Sequence, residues 1–245
     1  MRHLPTPVGW VLAPTSPTTH LTAAKLQETA NRPKTLRRRQ KTTRIRCGKG
    51  ELKHPPDAIL GRMSDYRRNY VPGGTFFFTV VTNGRRPILV SDVARRALRQ
   101  AFREVRSRHP FSITAIVLLP DHLHTVWTLP PGFADYSLLW RQVKSRFTQL
   151  YLEHGGVESG VSTSRDLKGE RGVWRRRFYE HTVRNEQDLK RCVDYIHINP
   201  LKHRLVERVQ DWPWSSFHRY VQLGEYAPNW GNAPIFHGDE WLHHE

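Results

Sequence analysis

Between Phe111 and Leu129 the chain carries two strand-forming runs separated only by Pro120-Asp121. The first ends in the apolar stretch Ala115-Ile116-Val117-Leu118-Leu119. The second, His122-Leu123-His124-Thr125-Val126-Trp127-Thr128-Leu129, alternates. So short a link suits hairpin pairing and excludes the long crossover that parallel neighbours need. In a strand, side chains i and i+2 share a face. His122, His124 and Val126 therefore point one way, and Leu123, Thr125 and Trp127 the other. This hairpin commits the chain to a sheet. It also offers a divalent cation two neighbouring imidazole ligands.

The surrounding pattern supplies the rest of the architecture. Thr75-Phe76-Phe77-Phe78-Thr79-Val80-Val81-Thr82 follows Gly73-Gly74 and is aromatic and β-branched, which predicts a buried strand. Ser91 then caps a helix in which Val93, Ala97, Ala101 and Val105 recur every four residues. Leu139, Val143, Phe147 and Leu150 form the apolar stripe of a second helix over 136–153. Residues 155–172 read as a mobile Gly- and Ser-rich loop, and 174–184 as extended. Asn185 opens a third helix that Pro200 is expected to stop. A short element over 215–223 follows Trp212-Pro213-Trp214. The order β-α-β-β-α, then an extended segment and a helix, predicts an α+β fold with helices packed on a single antiparallel sheet.

Residues 1–62 differ from the remainder. They hold scattered prolines, no sustained period and the basic tract Leu36-Arg37-Arg38-Arg39-Gln40-Lys41. They are expected to form a disordered basic extension, with Met63 as an alternative start. Residues 63–231 would form the folded domain and 232–245 a tail. The net charge of +17 points to a polyanionic partner. The first 62 residues contribute 13 basic and 3 acidic side chains, so more than half of the excess lies there. Two distant cysteines, Cys47 and Cys192, make no disulfide framework and suit a reducing, cytoplasmic setting. No apolar run approaches the ~20 residues of a membrane span.

Two nitrogen ligands alone make a weak metal site, so a third donor is needed. The segment Asp194-Tyr195-Ile196-His197-Ile198-Asn199-Pro200 offers one. On a helix Tyr195 and Asn199 are i and i+4 and stack on one face. Asn199 brings a hard carbonyl oxygen suited to Mg²⁺ or Mn²⁺. Tyr195 brings a phenol that can attack a phosphodiester. His197 lies roughly on the opposite side of that helix, which argues against ligation, and His181 has no role in the pattern. Arg67, Arg68, Lys144, Arg146 and the Arg175-Arg176-Arg177 cluster, in which Arg175 and Arg177 are the stronger candidates, could contact DNA phosphates. Tyr66, Tyr70 and Trp174 could stack unpaired bases, though Trp174 could equally be core.

In combination these motifs resemble the HUH-type single-strand DNA endonucleases, and more closely the REP-associated tyrosine transposases, relatives of the IS200/IS605 transposases. The matching stretches include Leu119-Pro120-Asp121-His122-Leu123-His124, Trp140-Arg141-Gln142-Val143-Lys144, Arg177-Phe178-Tyr179-Glu180-His181 and Val193-Asp194-Tyr195-Ile196-His197-Ile198-Asn199-Pro200. They span roughly Met63 to Gly231. The resemblance implies a ferredoxin-like, HUH-type sheet, Tyr195 as the catalytic tyrosine, and His122, His124 and Asn199 as ligands of Mg²⁺ or Mn²⁺. Many IS200-type relatives carry Gln where this chain has Asn199. The implied reaction is attack on single-stranded DNA folded as a palindromic hairpin, leaving a 5′-phosphotyrosine. Monomer and homodimer both stay open, as does an active site built in cis or in trans. Two other classes remain: a nucleic-acid-binding regulator without chemistry, and a nuclease that uses metal-activated water.

Overall fold

The computed structural model describes residues 68–231. The extension over 1–62, the tail over 232–245, Tyr66 and Arg67 lie outside them. Four strands form one sheet: β1 (Thr75–Val81), β2 (Ser112–Leu118), β3 (His122–Thr128) and β4 (Tyr179–Thr182). Their order across the sheet is β2-β3-β1-β4, and every neighbouring pair is antiparallel. With helix α1 (Asp92–Arg108) between β1 and β2 and α2 (Tyr136–Glu153) between β3 and β4, this is the ferredoxin-like β-α-β-β-α-β arrangement. Three further helices are α3 (Thr163–Asp166), α4 (Glu186–Lys202) and α5 (Phe217–Gln222). Among the described residues no helix is long and apolar enough to cross a membrane.

Alternation in β1 and β3 divides the apolar side chains into two cores, one on each face. Phe76, Phe78, Val80, Leu123 and Trp127 pack against Leu98 and Phe102 of α1 and Trp140 and Phe147 of α2. Trp127 and Trp140 stack at 4.1 Å between ring centres. The other face, with Phe77 and Val126, receives Val193, Tyr195 and Ile196 of α4. One layer of helices therefore lies on each side of the sheet, and α4 shares its side with the histidine pair. The helices begin where their caps dictate. Ser91 Oγ accepts from the Ala94 N–H, Asp135 Oδ1 from Leu138, and Asn185 Oδ1 from Asp188.

Two expectations are corrected, and the two readings of Trp174 are resolved. The loop over 155–172 is tied down: Arg165 donates to Asn83 Oδ1 at 2.7 Å and to the Trp174 carbonyl at 3.0 Å, Arg171 pairs with Glu158, and α3 forms within it. Trp174 is core, not a free stacking platform, because its ring sits 4.8 Å from Phe147 and is buried. Pro200 does not end the third helix. Proline removes one N–H, and hence only the bond to the Ile196 carbonyl. The next turn still closes, with His203 N–H donating to the Asn199 carbonyl and Leu205 N–H to that of Pro200.

Candidate functional site

The site begins with the register of β1 on β3. Val81 lies opposite His122 and Thr79 opposite His124, so both imidazoles emerge on the α4 face. Their rings lie 4.8 Å apart, edge to face. Each is held through Nδ1. Asp121 Oδ1 is 2.6 Å from Nδ1 of His122, and Thr79 Oγ1 is 2.9 Å from Nδ1 of His124. Asp121 is itself anchored by Arg85 Nη1 at 3.0 Å. Burial would raise the Asp121 carboxyl, but the hydrogen bond from His122 and then the Arg85 guanidinium outweigh it and hold the group at about 2. An ionised carboxylate can only accept. His122 must therefore donate from Nδ1, which leaves the lone pair on Nε2. That Nε2 is buried and has no hydrogen-bond partner.

Helix α4 brings the second half. Tyr195 and Asn199 are one turn apart and both buried. The Tyr195 ring stands 5.3 Å from that of His124 and 5.8 Å from Phe77. The turn past Pro200 adds two side chains that the pattern missed, because the helix was expected to stop. Lys202 donates to the Tyr195 hydroxyl at 3.1 Å and sits 4.8 Å from the centre of its ring. The His203 ring lies 5.1 Å from that of His122. Their spacing of i+7 and i+8 from Tyr195 was the signal for both. His197 is accounted for elsewhere: it is buried, with Nε2 2.8 Å from Ser216 Oγ and Tyr220 and Tyr226 around it.

The structure thus brings His122, His124, Asn199 and Tyr195 to one place within one chain. Two imidazole nitrogens pre-oriented through Nδ1, a buried amide and a phenol beside them form a donor set that fits a hard or borderline divalent cation. The basic candidates lie apart. Arg146 is on α2, across the sheet, with its guanidinium on Glu104 at 2.6 Å. Lys144, also on α2, donates to the Arg175 carbonyl. Arg175 and Arg177 are exposed on the segment that leads into β4, and Arg68 is half-buried at the edge of the described region. Tyr70 stacks on Tyr136 at 5.1 Å and remains about half exposed. A second group of donors, His181, Asp188 and Cys192, lies at the other end of α4.

Comparison with known proteins gives the family. Residues 73–199 match the family described as "Transposase IS200 like". The chain is 43% identical over 179 residues to the REP-associated tyrosine transposase of Escherichia coli strain K12, covering 73% of this chain and 98% of that protein. It is 38% identical over 172 residues to a Haemophilus influenzae protein (strain ATCC 51907 / DSM 11121 / KW20 / Rd) assigned to the same group, covering 70% and 96%. A solved structure of a REP-associated tyrosine transposase bound to a REP hairpin superposes with a TM-score of 0.57 at 41% identity, covering 72% of this chain and 96% of that one. A match across more than half of the chain, continuous with the sheet and helix that meet at Tyr195, places this protein in the IS200-like transposases, among the REP-associated tyrosine transposases, a family of enzymes that cleave and transfer DNA strands.

Proposed function

We propose that this protein cuts and rejoins single-stranded DNA at hairpin-forming palindromic repeats through a 5′-phosphotyrosine on Tyr195. The observation that carries this reading is the 5.3 Å approach of the Tyr195 ring to His124, with the Lys202 ammonium on the tyrosine hydroxyl. That a relative has been solved with a REP hairpin supports the substrate class.

In this mechanism His122 and His124, through Nε2, and Asn199, through its side-chain oxygen, would hold Mg²⁺ or Mn²⁺. When bound, the cation polarises the phosphoryl oxygens and offsets the charge that develops on them. Tyr195 Oη attacks phosphorus, and the bond from phosphorus to the 3′ oxygen breaks. The phenolic proton is lost as the new bond forms, and the departing 3′ oxygen gains one. Lys202 stabilises negative charge on Oη both as the nucleophile forms and when the phosphotyrosine is later attacked by a 3′-hydroxyl. Asp121 and Thr79 keep the imidazoles turned toward the cation. Residues 63–231 would carry the reaction in cis, in the cytoplasm, as a monomer or a homodimer. The exposed Arg175 and Arg177, with Arg67, Arg68 and the basic extension, would contact phosphates. Arg146 and Lys144, on the far side of the sheet, would serve only DNA that wraps around it.

The test is a labelled single-stranded hairpin incubated with the protein and Mn²⁺, then run on a denaturing gel. A covalent protein–DNA band is expected, absent in Tyr195→Phe while native-gel binding persists. Cleavage without an adduct that survives Tyr195→Phe would replace this mechanism with attack by activated water. Binding without any cleavage would leave a regulator.

A further inference from the structure

At the opposite end of α4 from the His122–His124 pair, three side chains of different chemistry converge between β4 and the helix. His181 stands opposite Phe77 in the sheet register, so it points to the same face as the catalytic histidines. Asp188 and Cys192 are one turn apart on α4. One potential ligand atom from each of the three lies within 4.8 Å of the other two. Asp188 already grips the imidazole, with Oδ2 2.9 Å and Oδ1 3.1 Å from Nε2 of His181. It is also positioned from behind by the Arg184 backbone N–H at 2.9 Å. Cys192 is buried against the Phe77 core.

We propose that His181, Asp188 and Cys192 form a second cation site that takes a borderline-soft divalent ion, zinc in the first instance, and ties the edge strand β4 to the helix that carries Tyr195. The donor types argue for zinc. Nitrogen, carboxylate oxygen and thiolate sulfur are its ordinary ligands, whereas Mg²⁺ and Mn²⁺ prefer oxygen-rich sites without sulfur. The position argues for the same reading. A cavity of about 370 Å³, lined in part by His181, Asp188 and Arg184, opens on the imidazole and carboxylate. It gives an ion access to the imidazole and the carboxylate, with Tyr179, Asn185, Gln187 and Arg191 completing its lining. Among the described residues the four-residue β4 is joined to the sheet on one side only, through β1. A bond network from His181 to α4 would therefore fasten an otherwise lightly held edge. Cys192 is three residues before Tyr195, so the same network would fix the start of the helical turn that presents the nucleophile.

Loading is proton-linked. The Cys192 thiol gives up its proton when its sulfur becomes a ligand. Binding forms a metal–sulfur bond and releases that proton to solvent. The oxidation state of nothing changes.

Cobalt(II) distinguishes this site from the histidine pair. Only a thiolate ligand produces an intense sulfur-to-cobalt charge-transfer band in the near ultraviolet, and no cysteine lies among His122, His124 and Asn199. Chelator-treated full-length protein titrated with Co²⁺ should develop that band and saturate by about two equivalents, one for each site, and excess Zn²⁺ should abolish it. The band should be lost in Cys192→Ser, be lost or strongly weakened in His181→Gln, and persist in the double variant His122→Ala/His124→Ala. If Cys192→Ser fails to fold, His181→Gln decides alone. Absence of the band in the wild-type protein, or its survival unchanged in His181→Gln, would overturn the site and leave His181–Asp188 as a hydrogen-bonded pair only. Neither result bears on adduct formation by Tyr195, which the hairpin gel reads separately.

Discussion

The Tyr195 hydroxyl accepts from the Lys202 ammonium, two helical turns away along α4. A phenol is a weak nucleophile until its oxygen carries charge, and a preorganised cation stabilises that charge without reorganising. Lys202→Met is expected to slow adduct formation on the order of 100-fold, read as single-turnover rates on a denaturing gel, with hairpin affinity little changed. Asp121 acts one bond further out. It fixes the proton of His122 on Nδ1, and an amide in its place could present either a donor or an acceptor. Asp121→Asn should weaken Mn²⁺ binding by about 10- to 100-fold, measured by calorimetric titration, while native-gel binding of the hairpin persists. Both residues were within reach of the sequence. Asp121 stands directly before the histidine pair, and Lys202 lies at i+7 from Tyr195. Lys202 was hidden because the helix was expected to stop at Pro200, and Asp121 because a side chain that acts through a hydrogen bond to another carries no periodic signature of its own.

At the scale of elements, α4 shows where periodicity suffices and where it does not. The cap at Asn185 and the i+4 stacking of Tyr195 and Asn199 were legible because they depend only on local geometry. The end of the helix was not. Pro200 costs one hydrogen bond, and burial of Pro200 with its neighbours in the packed helix offsets that loss. His197 on the same helix gives the packing a pH signature. Burial first, then the nearby Arg219 and His218, push its imidazole down to about 3 from 6.5. The folded protein holds the ring neutral, while the unfolded chain takes up a proton below 6.5. The stabilisation is thus complete above that pH and is lost as pH falls. Between pH 7 and pH 5 the wild type should lose about 2 kcal/mol from this group. Urea unfolding at both pH values should show a correspondingly smaller decline in His197→Leu, whatever its absolute stability.

At the scale of the whole molecule, charge and fold act separately. The basic excess lies mainly in the first 62 residues, whereas the proposed reaction centre is built from β3 and α4. Replacing Arg37, Arg38, Arg39 and Lys41 by Gln should therefore leave the chemistry intact. It should flatten the dependence of log affinity on log salt by about 0.7 to 0.9 for each phosphate that is no longer neutralised, measured by hairpin binding across a potassium chloride series. The α+β class, the β2–β3 hairpin and the facing of His122 and His124 followed from the sequence by itself, because alternation and the helical period are local properties of the backbone. The assignment of Arg146 did not. Its charge is legible as a phosphate ligand, yet α2 packs on the face away from the histidines and turns that guanidinium to Glu104. Only the tertiary structure decided that Tyr195 stands beside His124, that Lys202 reaches its hydroxyl, and that His181 meets Cys192. Those distances depend on how Phe77, Val126 and Ile196 pack between a sheet and a helix far apart in sequence, and no local pattern encodes that separation.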